Sequence, residues 1–355
     1  KKNTQKPASL CYKKLNMSKK NSSVNLKNKF KNFEDLSVVY SNFKNRLDKI
    51  NRKAFLVAVS GGPDSLALTA LAKAYNFGNK KKFYYVLVNH NIRKNSYLEA
   101  VKVKNLLKRN KINLKIISVK KKITKNIQAE ARNARYDILI DYCKKNKIKL
   151  LLTAHNLEDQ VETFLIRLSR GSGLKGLSSM KSIRKMDNQV SLFRPLLDVK
   201  KKFLIKISKN IFGNYVKDPS NKNSKFLRTR VRGLQKPLEK SGIKYEQIFR
   251  SIQNLSLSKS TLDEYFSNIF NELIKKEKKV IFINHKKFEK LNNDIKIALI
   301  NKSIKLIKKN YYDLRSYKVK NLIRNINRED FKKTTLGGCI FVKKGKNICL
   351  KVEKL

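Results

Sequence analysis

Residues 57–68 read Val57-Ala58-Val59-Ser60-Gly61-Gly62-Pro63-Asp64-Ser65-Leu66-Ala67-Leu68. The apolar run from Ala54 to Val59 predicts a buried strand that stops at a Ser-Gly-Gly turn. Asp64 and Ser65 then open an Ala/Leu-rich helix reaching about Tyr75. Two glycines let the backbone turn tightly and bring bare N–H groups close to an anion. The helix N-terminus behind them adds partial positive charge. Asp64 is able to cap that helix, and beside a phosphate it is also a natural Mg²⁺ ligand. The unit reads as a strand, a glycine loop and a helix cradling phosphate; the bland alternative is a glycine-rich turn with no ligand.

Outward from this stretch, strands and helices alternate. Strands are expected at 83–89, 114–119 and 149–153, and helices at 64–76, 96–110, 127–146 and 157–168, after an amphipathic helix over 33–50. Such alternation implies right-handed crossovers and a parallel sheet, whose ligands sit at the carboxyl ends of its strands. Chemistry-bearing residues gather there. Asn89 and His90 end the second strand, with Arg93 close behind to meet phosphate. Arg132 and Arg135 share one helical face and suit a nucleotide or RNA phosphate; the alternative is a solvated face paired with Glu130. Asp159 and Glu162 share the first turn of the helix after the fourth strand, where the helix dipole alone would favour them. Recognition of an ammonium group or a metal is the sharper reading. Arg170-Gly-Ser-Gly then leaves through a basic loop fit for RNA contact.

Beyond Gly171 the pattern loosens. Residues 172–188 read as loop-rich, 190–193 as a short strand into Arg194-Pro-Leu-Leu, and 200–211 as a helix. After the turn string Asp218-Pro219-Ser220-Asn221 comes a basic helix whose Arg228, Arg230 and Arg232 spread around it to embrace a backbone. Residues 245–279 are helical in period, with further helices at 293–309 and 316–327 and a β-hairpin over 334–352. The fold class is therefore α/β: a parallel-sheet nucleotide-binding domain, then a mainly helical region and a small C-terminal α+β part. The divisions are a disordered basic arm (1–32, with Met17 as a plausible true start), a catalytic domain (33–235) and an RNA-binding domain (240–355).

The net charge of +58 points to polyanions, most naturally nucleic acid. Part of it is discounted, because the chain is saturated with Lys, Asn and Ile in a way that raises charge without a selected surface. Cys11, Cys143, Cys339 and Cys349 form no Cys-x-x-Cys pair, so a zinc ribbon, an iron–sulfur site and a dithiol motif lack support. No apolar run is long enough for a spanning helix, and a cytoplasmic location without membrane partners is expected.

The loop has no lysine at the helix start, unlike ordinary phosphate-binding NTPases. Ser60 to Ser65 instead resembles the pyrophosphate loop (PP-loop) of N-type ATP pyrophosphatases, with their adenine nucleotide alpha hydrolase-like fold. Together with Val88–Arg93, Glu130–Tyr136, Thr153–Thr163, Arg170-Gly-Ser-Gly, Arg194–Leu197, Asp218–Asn221 and Thr335-Leu-Gly-Gly-Cys339, it resembles the tRNA(Ile)-lysidine synthetase family. The resemblance implies an ATP-dependent ligase that joins L-lysine to cytidine 34 of an isoleucine tRNA with a CAU anticodon. The cytidine C2 oxygen attacks the α-phosphate of ATP, releasing pyrophosphate, and the lysine side-chain amine then displaces AMP. On that resemblance Ser60, Gly61, Gly62, Pro63, Asp64 and Ser65, with Asn89 and His90, would hold ATP, and Asp64 would hold Mg²⁺. Asp159 and Glu162 would bind the lysine amines, and Arg135 the substrate or adenylate phosphate. Arg93, Arg132, Arg170, Arg194, Arg228, Arg230 and Arg232 would contact tRNA. The oligomeric state is open to a homodimer. A sister PP-loop enzyme that thiolates tRNA is the near alternative, although no cysteine sits beside the loop; a non-catalytic RNA-binding protein is the distant one.

Overall fold

A computed structural model describes residues 30, 34–76, 81–92, 95–119, 127–216, 226–308, 314, 316–328 and 330–353. The chain divides into two compact units, Lys1–Leu255 and Ser256–Leu355. The first opens with α1 (Glu34–Asp48), β1 (Ala54–Val59), α2 (Pro63–Asn76), β2 (Lys82–Asn89), α3 (Ser96–Arg109) and β3 (Leu114–Ser118). It continues through α4 (Ile127–Lys145), β4 (Leu150–Leu152), α5 (Leu157–Leu168), α6 (Leu174–Leu177), β5 (Ile183–Lys185), β6 (Ser191–Phe193) and α7 (Lys201–Phe212). Then follow α8 (Leu227–Gly233), α9 (Gln235–Lys240) and α10 (Tyr245–Leu273), a helix that runs on past residue 255.

The sheet of this unit has the order β3-β2-β1-β4-β6-β5. Every pairing is parallel except that of the edge strand β5 with β6. Alternate residues of β1 face opposite layers. Phe55, Val57 and Val59 enter a core shared with α1, α2, α3 and α7, while Leu56 joins Val86, Val88, Leu151 and Leu192 against Leu139 and Cys143 of α4. Sequential strands run outward from β1 to β3 and then reverse to β4, so a crevice opens at the carboxyl ends of β1 and β4. Helix α2 is buried on nearly all sides, with Leu66, Leu68 and Leu71 inaccessible. Each such leucine contributes roughly 2 kcal/mol, which fixes the helix whose N-terminus faces that crevice. Arg46 of α1 pins the returning chain through Pro195 O (2.5 Å) and both carboxylate oxygens of Asp198 (2.7 and 2.5 Å).

The second unit contains the C-terminal end of α10, then β7 (Ile274–Glu277), β8 (Val280–Asn284), α11 (His285–Glu289), α12 (Asn293–Ile307), α13 (Ser316–Ile326), β9 (Lys333–Leu336), β10 (Cys339–Lys344) and β11 (Asn347–Val352). Its strands form an antiparallel sheet in the order β7-β8-β11-β10-β9. One face of that sheet packs Ile281, Ile283, Phe341, Ile348 and Leu350 against Phe288, Leu299, Val319 and Leu322 of the helices.

Several expectations are corrected. The loop-rich stretch 172–188 also carries two short elements, α6 and β5, the latter an exposed edge strand where Arg184 and Lys185 are tolerated. The helix expected to reach 279 ends at Leu273 and gives way to a hairpin; alternate burial of Ile281 and Ile283 is the period of a strand. The terminal hairpin is three strands of a larger sheet, since Gly337 and Gly338 turn the chain once more at positive φ. Of the expected basic arm, Phe30 is described, and it is buried with its ring stacked on Tyr40 at 5.4 Å. Met17 lies outside the described residues.

Candidate active site

The phosphate-type loop is held by its own hydroxyls. Ser60 N–H and Ser60 Oγ–H both donate to Ser65 Oγ (3.1 Å each), and Ser65 Oγ–H donates to Gly62 O (3.0 Å). Ser65 is buried, so its hydroxyl braces the loop from beneath. Gly61 has φ +83°, and a Cβ there would meet Val103 Cγ2 at 2.6 Å. Its carbonyl accepts from Val216 N–H at 3.0 Å. Gly62 differs: its φ is ordinary for any residue, and a Cβ would come no nearer than 3.9 Å to Ser60 Oγ. The fold therefore demands Gly61 and leaves Gly62 free to serve a ligand. Pro63 takes the first helical position, where its missing N–H costs nothing.

Asp64 follows, and its Oδ1 is buried without a partner. Burial pushes its carboxyl up to about 6, and Asp159 and Glu158 push the same way against Lys201 and Asn156. Those neighbours come from the end of β4 and the start of α5 and α7, so the crevice between β1 and β4 gathers acids and cations expected separately from the sequence.

At that second edge Asn156 caps α5 in a reciprocal box: Asn156 Oδ1 accepts from Asp159 N–H (2.9 Å), and Asp159 Oδ2 accepts from Asn156 N–H (3.2 Å). The other oxygen of Asp159 accepts from Arg228 Nη2 at 2.7 Å. Glu162 is buried and takes Arg228 Nε on one oxygen (2.5 Å) and Arg232 Nε on the other (2.7 Å). Two carboxylates thus face two guanidiniums, and Arg228 and Arg232 stay about a third exposed (36% and 32%) while Arg230 is on the surface. Glu158 faces away and accepts Lys201 N–H on both carboxylate oxygens (2.9 and 3.0 Å), capping α7.

The arginines of α4 meet the ends of β2 and β4. Arg132 and Arg135 both lie over the buried Tyr136 ring, at 5.1 and 5.3 Å. His90 is half-buried with Nδ1 unpartnered; burial and then Arg135 hold its pKa below the ordinary value. Burial, then Arg194, Arg132, Arg228 and Arg135, hold His155 far below it, so His155 is neutral, with Nδ1 2.9 Å from Thr153 Oγ1. The sequence alone assigns His155 no role, although it sits at the end of a strand that brings four arginines around it.

Other expected contacts are placed differently. Arg194 is buried and donates to Lys181 O (2.8 Å), a position for bracing or counter-charge rather than for an outer RNA surface. Asn89 is buried and shapes the turn after β2, its Nδ2–H donating to Asn91 Oδ1 at 2.6 Å. Arg170 is exposed on the turn after α5. Arg93 and Asp218–Asn221 lie outside the described residues. Gln160, which no sequence pattern singles out, closes the loop after α5 by donating to Met180 O (2.9 Å) and accepting from Met180 N–H (2.8 Å).

Residues 36–237 match the family described as PP-loop domain. The chain is 34% identical over 321 residues to the tRNA(Ile)-lysidine synthase of Wolbachia pipientis wMel, covering 89% of this chain and 74% of that protein. It is 32% identical to that of Orientia tsutsugamushi (80% of this chain, 66% of that protein) and 33% identical to that of Rickettsia akari (84% and 69%). The chain thus spans about two thirds to three quarters of the length of these relatives. Among solved structures, the U34-tRNA thiolase NcsA from Methanococcus maripaludis aligns with a TM-score of 0.52 at 21% identity, over 62% of this chain and 78% of that one. That likeness concerns the fold. The sequence matches decide between the sister enzymes: the chain belongs to the tRNA(Ile)-lysidine synthase family of PP-loop proteins.

Proposed function

We propose that the chain uses ATP to join the side-chain amine of L-lysine to C2 of cytidine 34 in an isoleucine tRNA with a CAU anticodon, through a cytidine adenylated at its C2 oxygen. The supporting observation is one crevice that combines a braced glycine loop, a buried carboxylate without a partner, an acid pair and a ring of arginines. Gly62 and the open first turn of α2 receive the ATP phosphates. Asp64 suits Mg²⁺, because a cation would relieve a buried carboxyl whose pKa stands near 6. Among the described residues no cluster of three His, Cys, Asp or Glu side chains could hold a metal alone, so the ion would be shared with phosphate oxygens. When bound, it supplies neutralisation of the leaving pyrophosphate.

Arg132 and Arg135, with neutral His155 and His90 beside them, face the transferred phosphate. Asp159 and Glu162 take the lysine ammonium. Two guanidiniums already balance these two carboxylates, so a third cation enters stably only with an added anion or when an arginine leaves. The adenylate phosphate on the tRNA is one such anion, and the α-carboxylate that lysine itself carries is another.

Transfer of labelled lysine to an unmodified CAU isoleucine tRNA transcript tests the reading. ATP-dependent labelling is expected, with none on a methionine tRNA of the same anticodon. AMP release without lysine transfer on any tRNA would overturn it in favour of a sister PP-loop enzyme.

A further inference from the structure

The C-terminal sheet has two faces, and its helices cover one. The cross-strand register places Lys275, Phe282, Cys349, Val342 and Lys333 in one row on the other face, since partners in an antiparallel ladder point the same way. A second row carries Glu277, Val280, Lys351, Ile340 and Thr335, so one exposed carboxylate sits among the lysines of this face. None of these apolar residues belongs to the core formed on the helix-covered face. Phe282, Val342, Val280 and Ile340 are half-buried, and Lys275, Lys333 and Lys351 are exposed. Phe282 thus lies on the second strand of this face beside Cys349, which is buried on the central strand, and exposed lysines stand on the two outer strands of the row.

We propose that this face is a platform for unpaired RNA nucleotides, with a base stacked on Phe282 and the neighbouring phosphates met by Lys275, Lys333 and Lys351. A base offers a π-face to an aromatic on a sheet, and stacking needs nucleotides free of a duplex. The charge of the rim selects a polyanion over an apolar protein partner, and tRNA supplies both phosphates and unpaired segments. The assignment of the RNA as tRNA rests on the proposed function; the platform itself does not.

The test uses the full chain with Phe282→Ala, Phe282→Tyr and the double variant Lys275→Glu/Lys333→Glu. Binding is measured against a fluorescent unstructured RNA dodecamer, an RNA duplex and an unmodified tRNA transcript, at several salt concentrations. Phe282→Ala should weaken dodecamer binding about tenfold, with Phe282→Tyr near wild type and the duplex little affected. The double charge variant should lower the slope of log affinity against log salt by about two. Unchanged dodecamer affinity in Phe282→Ala, or an unchanged salt slope in the charge variant, would overturn the platform. Loss of self-association in sedimentation without loss of RNA binding would make the face an interface between copies and likewise overturn it. Because binding is read without lysine transfer, wild-type chain that binds RNA through Phe282 yet transfers no lysine would sink the proposed reaction and leave the platform standing.

Discussion

Asp64 concentrates the tension between folding and use. Its carboxyl is ionised against the penalty of burial, with one oxygen unpartnered. The folded carboxyl titrates near 6 and the unfolded one near 3.8. Between those values the folded chain holds more protons, so its stability falls as pH rises from about 4 to about 6, and the full penalty applies above. At about 1.4 kcal/mol per pH unit the gap amounts to roughly 3 kcal/mol. Asp64→Asn should therefore stabilise the ligand-free chain by about 2–3 kcal/mol at pH 8, with the difference vanishing near pH 4. It should also abolish ATP-dependent AMP release while leaving tRNA affinity near wild type. Denaturant titrations at the two pH values, with an AMP assay alongside, check this. Equal stability at both pH values would mean that the carboxyl is not strained by burial.

At the scale of elements, the loop between β1 and α2 divides its labour between two glycines. Gly61 sits at positive φ against Val103 and Val216, so any side chain there strains the backbone and displaces a packed valine. Gly62 has room for a methyl group and no conformational demand. Gly61→Ala should cost about 2 kcal/mol or more of stability. Gly62→Ala should unfold at the wild-type denaturant midpoint and lose ATP affinity by about tenfold or more, because its methyl group stands where phosphate approaches. Calorimetric ATP titration of both variants separates the cases; full ATP affinity in Gly62→Ala would move the phosphate away from this turn. The same scale explains α8. Alone it is a short basic helix that would be read as an RNA surface, but packed on α5 it commits Arg228 and Arg232 to the acid pair.

On the scale of the whole molecule, the ends of α10 enter different cores. Tyr245, Ile248 and Ile252 pack with Leu157 and Val161, whereas Ile269, Phe270 and Leu273 join the C-terminal core. Between them Leu257, Leu262 and Tyr265 are exposed. A helix without burial in its middle couples its ends weakly, so two unfolding transitions are expected. Phe341→Ala, deleting a fully buried ring of the C-terminal sheet, should cost about 3–5 kcal/mol there. Scanning calorimetry should show one transition lowered and the ATP-stabilised one unmoved. A single transition that shifts as a whole would show that the units unfold together. Among the described residues no helix is long and apolar enough to cross a membrane.

Local sequence is enough for the parallel sheet and its phosphate loop. Val57–Leu68 carries a strand, a turn and a helix start in local terms alone: an apolar β-branched run, glycines where the chain must bend, and a proline at the first helical position. The alternation of strands with helices then leaves little choice of topology. For the same reason β1 begins and ends where expected, at Ala54 and Val59, and α5 spans 157–168 as read. What the charges do is settled only by docking. Asp159 and Glu162 are legible as an acid pair on one helical face, yet their partners Arg228 and Arg232 lie about seventy residues on, in a helix whose docking no local pattern encodes. His155 gains its meaning only when α4, α8 and the end of β6 bring arginines around it. The hairpin at 274–284 is hidden in the sequence because lysines mask its alternation, and its stability comes from pairing with β11, the last strand of the C-terminal sheet. Backbone propensity acts over a few residues and can be read along the chain; pairing of charges and of strands is settled in space, where desolvation decides which partners meet.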